Sequence, residues 1–380
     1  MKILAPIRLR MEENVVTRVY RRLNGTFSIN VQAGQEVMPS DIIGSSQTES
    51  GFRILNLATL LSVSPRDVKK YLKRTLGQKI YKGELLASKD GWMLSSKKIV
   101  TAPTDAILDF YNEQTGEMRL SFLPTKTNLP SGVYGIVEQV DSLRGFVVIK
   151  TLVDRIYGIF GSGKHRDGIL RILGNREDIT TEVSVRAQAG REQVFVGGSL
   201  LYKEAISAAI SSGINGIISG GINAMEYKNI TSGRLSFPNK IENDIGISIV
   251  ICEGFGSIPI GLDIYTLLEA YDGRFVFIDG NKAIISLASF ESKSMLKIRS
   301  TALPIGQEDN FAGGYIQIGE LNVGSHVRIA GNYFTGEQGK IIAIDQSFSL
   351  LPSGLKAIMA TIETSFKKIK IPVNNLEMIR

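Results

Sequence analysis

The sequence has little of the chemistry that most enzymes and secreted proteins depend on, with one cysteine, two histidines and one tryptophan in 380 residues. A lone cysteine, Cys252, excludes an intramolecular disulfide and a cysteine-rich zinc cluster. Two histidines, His165 and His326, are too few for a histidine-rich metal site. No window of about 20 residues is apolar enough to cross a bilayer, and MKILAPIRLR has too short an apolar core for a signal peptide. We therefore expect a cytoplasmic protein with no metal, no cofactor and no direct membrane insertion.

The composition is that of a folded, glycine-rich protein. Hydrophobic residues make up 43% of the chain, charged residues 21%, and there are 39 glycines but only 11 prolines. The length exceeds what one ordinary core holds, so about two to four domains are expected. Because no long helical periodicity is present, strands should dominate. The composition therefore predicts a β-rich, multidomain protein.

Positive charge is concentrated at the amino-terminal end. The formal net charge is +7, and residues 1–75 hold 12 Lys and Arg against 6 Asp and Glu. Within this region, Ser64, Pro65, Asp67 and Gly77 are the capping and terminating residues of a helix over about 64–76. Its basic face consists of Lys69, Lys70, Lys73 and Arg74. Such a face either contacts nucleic-acid phosphates or is simply solvated, and both interpretations stay open.

A repeat about 43 residues apart organises the first part of the chain. Gly34-Gln-Glu-Val followed by Ile42-Ile-Gly-Ser has the spacing of Gly77-Gln-Lys-Ile followed by Leu85-Leu-Ala-Ser, and Ala102-Pro-Thr-Asp-Ala-Ile comes next. These segments resemble the two halves of a biotinyl/lipoyl-type barrel-sandwich hybrid. In carrier domains of that type a modifiable lysine stands between the halves, in Met-Lys-Met or Asp-Lys-Ala. The segment SKDGWMLSSKKIV has neither signature, so we predict the fold without a swinging arm.

The middle of the chain alternates apolar strands with helices, which predicts a parallel, doubly wound sheet. Ligands in such sheets bind beyond the carboxyl ends of the strands. The candidate ligand-binding residues there are Gly197, Gly198, Ser199, Gly220, Gly221, Glu253, Gly254, Gly256, Ser257 and Asp279. Glu253 and Asp279 would supply the acids of an enzyme. Tight turns alone also account for these glycines.

One segment nearly matches a nucleotide-binding loop. Gly158 to Lys164 satisfies G-x-x-x-x-G-K, but His165 follows where a Ser or Thr hydroxyl would hold magnesium. We therefore interpret this segment as a glycine-rich turn. No residue is assigned a catalytic role.

The segment from Gly324 to Glu377 carries the most specific pattern. V-R-I at 327–329 is followed by Gly336, Gly339 and Ile341, and the segment ends in IPVNNLEMI. This pattern resembles the KOW motif and the small barrel that carries it, known chiefly from transcription elongation factors and ribosomal proteins. The resemblance implies binding to RNA, to ribonucleoprotein or to RNA polymerase. Its phosphate-contacting cations would be Arg328, Lys340, Lys367 and Lys368.

The order of these modules resembles a bacterial family of KOW-containing proteins that has no assigned reaction. The predicted fold is multidomain, β-rich α+β and α/β. It places a barrel-sandwich hybrid with an inserted basic helix at 1–160, a Rossmann-like parallel α/β domain at 161–300, and a KOW-type small β-barrel at 301–380. Our first hypothesis is a non-enzymatic binding or assembly protein acting on RNA, a ribonucleoprotein, the transcription machinery or another large protein complex. The second is an enzyme or sensor for a nucleotide or phosphorylated metabolite at the glycine-rich strand ends. The third is a structural protein that forms homo-oligomers.

Overall fold

A computed structural model describes residues 2–48, 51–90, 97–123, 125–190, 192–230, 244–289, 294–303, 317–331 and 333–379. The strands of its first part are β1 (Leu4–Ile7), β2 (Met11–Arg22), β3 (Thr26–Ile29), β4 (Glu36–Val37), β5 (Ile42–Thr48), β6 (Phe52–Asn56), β7 (Lys79–Ile80), β8 (Leu85–Lys89), β9 (Lys98–Thr101), β10 (Ala106–Asn112), β11 (Glu117–Phe122), β12 (Thr125–Pro130), β13 (Gly135–Asp141) and β14 (Phe146–Tyr157).

The remaining strands are β15 (Phe160–Ser162), β16 (His165–Ile172), β17 (Ile179–Thr180), β18 (Gln193–Val196), β19 (Leu200–Leu201), β20 (Gly216–Ile222), β21 (Ser248–Phe255), β22 (Phe275–Asp279), β23 (Ile284–Ala288), β24 (Gln317–Glu320), β25 (His326–Ile329), β26 (Gln338–Ile344), β27 (Ser349–Leu350), β28 (Lys356–Ala357), β29 (Met359–Thr364), β30 (Lys368–Pro372) and β31 (Leu376–Met378). The helices are α1 (Leu57–Leu61), α2 (Glu182–Gln188), α3 (Lys203–Ser211), α4 (Ala224–Ile230), α5 (Leu262–Ala270) and α6 (Ser294–Ser300), with 3-10 helices at Pro65–Tyr71 and Val373–Asn375. The prediction of a β-rich chain with several sheets is confirmed. No helix in the described part of the chain is both long enough and apolar enough to cross a bilayer.

A thirteen-stranded mixed sheet forms the centre of the molecule. Its order is β15-β21-β20-β18-β16-β22-β23-β14-β13-β4, with β2 paired to β14 and the short strands β17 and β19 beside β20. Strands β16, β18, β20 and β21 are parallel, and β22 runs antiparallel to β16. The sequence of β14, FVVIKTLVDRIY, is almost continuously buried, as expected of a strand covered on both faces. Because β2, β13 and β14 belong to this sheet, it crosses the predicted boundary at residue 160.

The two copies of the sequence repeat lie in different cores. In the first copy, Val37 and Ile43 pack with Val147, Ile149 and Phe277 against the large sheet. In the second copy, Ile80 and Leu86 belong to a separate core that also includes Leu57, Met118 and Leu120. This second core lies under a four-stranded sheet of order β6-β11-β10-β7 and the pair β8 and β9. Part of the segment between the halves, residues 91–96, lies outside the described residues.

The predicted helix over 64–76 is wrong in type and length. Residues Pro65–Tyr71 form a 3-10 helix, and Leu72 is already extended. Because the helix ends early, Val68, Leu72 and Leu76 do not form one apolar helical face: Val68 is buried, whereas Leu76 is half exposed. Leu72 bridges to Ala87 of β8, so a strand contact takes over where the helix was expected to continue.

The carboxy-terminal segment forms a seven-stranded sheet of order β24-β1-β31-β25-β26-β29-β30. Its end strands β24 and β30 are not paired with each other among the described residues, so the sheet is open there and the expected closed small barrel is not observed. The amino-terminal strand β1 lies inside this sheet, antiparallel to β24 and parallel to β31. The first residues of the chain thus belong to the carboxy-terminal module, which the sequence patterns did not indicate.

Candidate functional site

A buried network of charged side chains joins the seven-stranded sheet to the thirteen-stranded sheet. Arg328 on β25 donates hydrogen bonds from Nη2 to Glu253 Oε1 at 2.7 Å and from Nη1 to Glu253 Oε2 at 3.1 Å. It also donates from Nε to Asp263 Oδ2 at 2.8 Å and from Nη2 to Asp263 Oδ1 at 3.0 Å. Glu253 lies on β21, and Asp263 lies in the first turn of α5. One guanidinium therefore holds two carboxylates of the other sheet in two-point contacts.

The segment that follows β1 completes this network. Arg10 Nη2 lies 3.2 Å from Glu253 Oε2 and donates to the Cys252 carbonyl at 2.5 Å. Glu377 of β31 has Arg328 Nη1 at 3.5 Å and Arg8 Nε at 3.5 Å. Three arginines thus face three carboxylates, so the network carries no net charge.

Charge complementarity stabilises the buried network. Burial alone would lower the pKa of the Arg328 guanidinium, but the carboxylates of Glu253 and Asp263 raise that pKa above its ordinary value. Burial lowers the pKa of Arg8, the most exposed of the three arginines, despite its contact with Glu377. Removal of one member of such a cluster leaves another charge buried and unpaired, which is costly. The arrangement is therefore suited to fixing two sheets against each other.

A cavity of about 70 Å³ adjoins the network and is lined in part by Arg8, Arg10, Arg328, Gln338 and Glu377. Small-molecule pockets usually measure several hundred Å³. This cavity has room for water molecules but not for a nucleotide.

The glycine turn between β25 and β26 also packs against α5. Leu262 donates its backbone amide to the Thr335 carbonyl at 3.0 Å, and a Cβ on Gly336 would lie 2.2 Å from the Leu262 nitrogen. Arg176 donates from Nη1 to the carbonyls of Ile260 at 3.0 Å and Thr335 at 3.2 Å. Contacts within the chain thus largely occupy this turn.

The glycine-rich strand ends are filled by the chain's own backbone. A Cβ on Gly220 would lie 2.1 Å from the Ile258 carbonyl oxygen, and one on Gly221 would lie 1.9 Å from that of Gly256. Gly198 is confined in the same way by the Asp178 backbone, whereas Gly197 is confined by the Thr180 side chain. These four glycines therefore allow close backbone packing and leave no open crevice for a ligand.

The remaining candidates at these strand ends have mostly structural contacts. Ser199 is buried and donates to the Glu177 carbonyl at 2.8 Å, and Ser257 donates to Ser199 Oγ at 3.1 Å. Gly254 and Gly256 have φ values of 144° and 106°, which favour glycine. Only at Gly256 is the space beside the backbone open.

Glu253 and Asp279 do not form an acid pair, which corrects the expectation of neighbouring strand ends. Strands β21 and β22 are separated by three strands, and β22 runs antiparallel to its neighbour β16. The carboxyl end of β22 therefore lies at the opposite edge of the sheet from Glu253. Asp279 instead accepts a hydrogen bond from the Lys282 amide at 2.9 Å and closes a turn.

The near match to a nucleotide-binding loop lies among strands. Residues 160–162 form β15 and His165 begins β16, whereas such a loop leads into a helix. This geometry agrees with the interpretation of a glycine-rich turn.

Cys252 is buried within β21, and burial raises the pKa of its thiol to about 12, which makes it a poor nucleophile.

Most of the predicted phosphate-contacting cations already have acidic partners. Lys69 pairs with Glu113, Lys70 with Asp67 at 2.7 Å, Arg74 with Glu84 at 3.3 Å, Lys367 with Glu337 at 3.8 Å and Lys368 with Glu363 at 3.5 Å. Arg328 is buried and cannot meet a nucleic acid from outside. Lys73 and Lys340 form no ion pair with the described residues. The eight cations therefore do not build one continuous unpaired basic surface.

An exposed hairpin lies at the far end of the seven-stranded sheet. We define the distal hairpin as residues 345–357, which connect β26 to β29 and include β27 and β28. Strand register places Arg328 beside Gln338 at one end of β26, whereas Ile344 and Ala360 pair at the other end, where the distal hairpin begins. Phe348 is 62% exposed, Leu350 71% and Leu355 67%. Three large apolar side chains thus face solvent at the end of the sheet away from the charge network.

Several residues of the network were not predicted. The sequence indicated Arg328 only as a phosphate-contacting cation, because polar residues that alternate with apolar ones in a strand usually face solvent. No sequence signal marks Arg10, Asp263 or Glu377 as its neighbours, since they come from the segment after β1, from α5 and from β31. Among the described residues there is no group of three or more His, Cys, Asp or Glu arranged to hold a metal ion.

No protein-family model matches the chain. The chain is similar to the GTPase RhebL1 of Mus musculus, with 27% identity over 132 residues. That region is 34% of this chain and 70% of the mouse protein.

Proposed function

We propose that this chain is a non-enzymatic binding or assembly protein that docks on a protein component of a large complex through its distal hairpin. The observation that carries the proposal is the exposure of Phe348, Leu350 and Leu355 on one short hairpin. A protein seldom exposes a group of large apolar side chains without a use for it, and such groups mark interaction sites. The opposite end of the same sheet is already bound to the thirteen-stranded sheet.

The charges near the distal hairpin favour an acidic partner surface. Lys356 on β28 is exposed and forms no ion pair with described residues, whereas Asp345 is neutralised by Lys370 at 2.9 Å. Unpaired positive charge around an apolar centre complements an apolar groove with carboxylates at its rim. Two copies of the hairpin would repel each other, so the partner is a different protein.

In this proposal the three predicted modules form the rigid body that carries the distal hairpin. The second repeat copy serves as the barrel-sandwich part, the parallel strands as a Rossmann-like part, and the seven-stranded sheet as an open KOW-type module. The buried charge network holds the last two in a fixed orientation. The protein therefore presents its hairpin from a rigid body, which reduces the entropic cost of docking.

Co-sedimentation of the tagged protein from its native cells tests this proposal. We expect the wild type to sediment in part with a large complex and the double variant Phe348→Ser, Leu350→Ser to remain in the light fractions. The control is Leu143→Ser, which changes a side chain that is 95% exposed in the β13–β14 turn. If the hairpin variant sediments like the wild type, the hairpin is not the docking surface.

A ribonuclease arm of the same experiment separates a protein partner from RNA. Our proposal requires the association to survive ribonuclease, while loss of the heavy fraction after digestion would favour direct RNA binding. The association should weaken as salt rises, because Lys356 contributes to it.

Nucleotide binding is a second candidate, favoured by the similarity to the mouse GTPase. Two observations argue against nucleotide binding. Atoms of the chain itself fill the glycine-rich strand ends, and Lys164 is followed by strand β16, whereas a nucleotide-binding loop leads into a helix. A thermal unfolding series with GTP and ATP, each with magnesium, tests it directly. A ligand at 100 times its Kd stabilises a fold by about 2.7 kcal/mol, so binding would raise the midpoint by several degrees. We expect no shift.

A further inference from the structure

Strand β6 has a free edge on the four-stranded sheet. This strand pairs with β11 on one side, and no other strand of the described chain pairs with its second side. An uncovered edge presents a row of backbone N–H and C=O groups that can bind another extended chain. Natural edge strands are usually protected by charges, prolines or bulges. Of these protections, the sequence Phe-Arg-Ile-Leu-Asn of β6 contains one charge and no proline.

The outer face beside this edge is apolar. Phe52 is 58% exposed, Ile54 52% and Phe110 52%. Arg119 on β11 pairs in register with both Ile54 and Phe110, so the three side chains lie on one face. Arg119 donates from Nε to Asp109 Oδ2 at 2.6 Å, and its guanidinium carbon lies 5.5 Å from the centre of the Phe52 ring. Because Asp109 neutralises Arg119, the face carries little net charge.

Arg53 gives the free edge of β6 a preference for an acidic partner. It pairs in register with Leu120, which is buried, so its side chain leaves the strand on the face opposite to Phe52 and Ile54. Arg53 is exposed and forms no ion pair with the described residues. A strand added to this edge would place apolar side chains beside Phe52 and Ile54 and an acidic side chain beside Arg53.

A second copy of β6 does not meet these requirements. Two antiparallel copies related by a twofold axis at Ile54, the centre of the strand, would place each Arg53 opposite a Leu55 and leave both arginines without an acidic partner. An axis at Arg53 would place the two arginines opposite each other and would also shorten the paired segment. The complementary occupant is therefore a different chain.

We propose that β6 is a strand-addition site for an extended segment of a partner protein in which apolar and acidic side chains alternate. Main-chain hydrogen bonds would supply affinity, and the alternating side chains would supply specificity. This site is distinct from the distal hairpin, since it lies on another sheet with another core. The chain thereby has two separate docking surfaces, which suits an assembly role.

Two labelled peptides test the proposal by fluorescence polarisation with the full chain: one alternates valine and glutamate, and the other valine and lysine, each over eight positions. We expect the glutamate peptide to bind about tenfold more tightly than the lysine peptide. Arg53→Glu should reverse this preference, and Ile54→Ser should weaken binding of the glutamate peptide several-fold. The matched control is Lys126→Glu, which makes the same charge reversal at an exposed position on another edge strand, β12.

Equal affinity for the two peptides, or no binding of either, would overturn the proposal. It would also be overturned if Lys126→Glu changed the preference as much as Arg53→Glu does. The peptide test involves no hairpin residue, so its failure leaves the function proposed for the distal hairpin standing.

Discussion

Arg328 of the seven-stranded sheet and Glu253 of the thirteen-stranded sheet meet in a two-point contact while each side chain is only 1% exposed. A guanidinium suits this position because its planar fork matches a carboxylate, and it binds Asp263 at the same time. The contact therefore determines how the carboxy-terminal module sits on the rest of the protein.

Loss of the Arg328 guanidinium should strongly destabilise the protein. Arg328→Met leaves Asp263 buried without its arginine partner and Glu253 with the Arg10 contact alone, and breaking a buried pair typically costs about 3–5 kcal/mol. Urea unfolding monitored by circular dichroism should show this loss in the free energy of unfolding. Arg328→Lys should recover only part of it, because an ammonium cannot make two-point contacts.

The matched control for Arg328 is an exposed ion pair of the same sheet. Lys368 lies 3.5 Å from Glu363, and both side chains are exposed. Such pairs contribute about 0–1 kcal/mol, so Lys368→Met should change stability by less than that. Similar losses in the two variants would show that the buried network does not hold the sheets together.

The glycines at the strand ends provide a second prediction. Gly220→Ala places a Cβ about 2 Å from backbone atoms of residues 258–260, where no flexible side chain can yield. We expect a loss of at least about 1–3 kcal/mol, the usual cost of overpacking, or failure to fold. The control is Gly51→Ala, where the nearest atoms belong to the Phe122 ring at 3.8 Å, and its stability should stay close to wild type.

If Gly220→Ala were as stable as Gly51→Ala, the strand end would have space that the structure does not show. The hypothesis of a ligand site there would then regain support. A nucleotide thermal-shift series on the same variant would decide the point.

The sequence predicted local features better than spatial relationships. Alternation of apolar residues identified strands such as β25 and β26, and the turn glycine Gly336 does have a positive φ of 91°. The partner of that turn could not be predicted, because it is α5, about 70 residues earlier in the chain. A helix does start after Ser64, but it is a 3-10 helix, and the Ser64 side chain makes no capping hydrogen bond. It ends before Leu72, which is extended and bridges to Ala87 of β8.

The candidate site shows the same limit. A glycine at a strand end can either give a ligand access to the backbone or allow two backbone segments to pack closely, and the same sequence pattern fits both roles. Glu253 was predicted as an acid of a ligand site, whereas in the structure it pairs with Arg10 and Arg328, which come from opposite ends of the chain. The pairing of β1 with β24 and β31 brings these ends together.

Cys252 provides a prediction on pH. Burial raises the pKa of its thiol from an ordinary 9.0 to about 12. Above pH 9.0 the unfolded chain loses this proton while the folded chain keeps it, so stability is full below that pH and falls as pH rises toward about 12. The slope from this group is up to about 1.4 kcal/mol per pH unit.

The measurement is the difference in unfolding free energy between the wild type and Cys252→Ala across this pH range. The difference should be constant below pH 9.0 and shift against the wild type above it. The wild-type thiol should also fail to react with a disulfide reagent at pH 8 until urea is added. Rapid reaction of the folded protein would contradict the burial of this residue.

Arg176 should control local opening of the contact between α5 and the turn that joins β25 to β26. Its guanidinium bonds the carbonyls of Ile260 and Thr335, and the Leu262 amide donates to that same Thr335 carbonyl. Each such bond contributes about 0.5–1.5 kcal/mol. Arg176→Ala should therefore speed hydrogen exchange at the Leu262 amide about tenfold, while exchange at Ile218 in the centre of β20 stays unchanged.

Arg186→Ala is the control, since Arg186 pairs only with Glu182 on the surface of α2 in the described structure. Equal exchange at Leu262 in the two variants would mean that Arg176 does not hold the turn, and the buried charge network alone would then have to account for the attachment of the seven-stranded sheet.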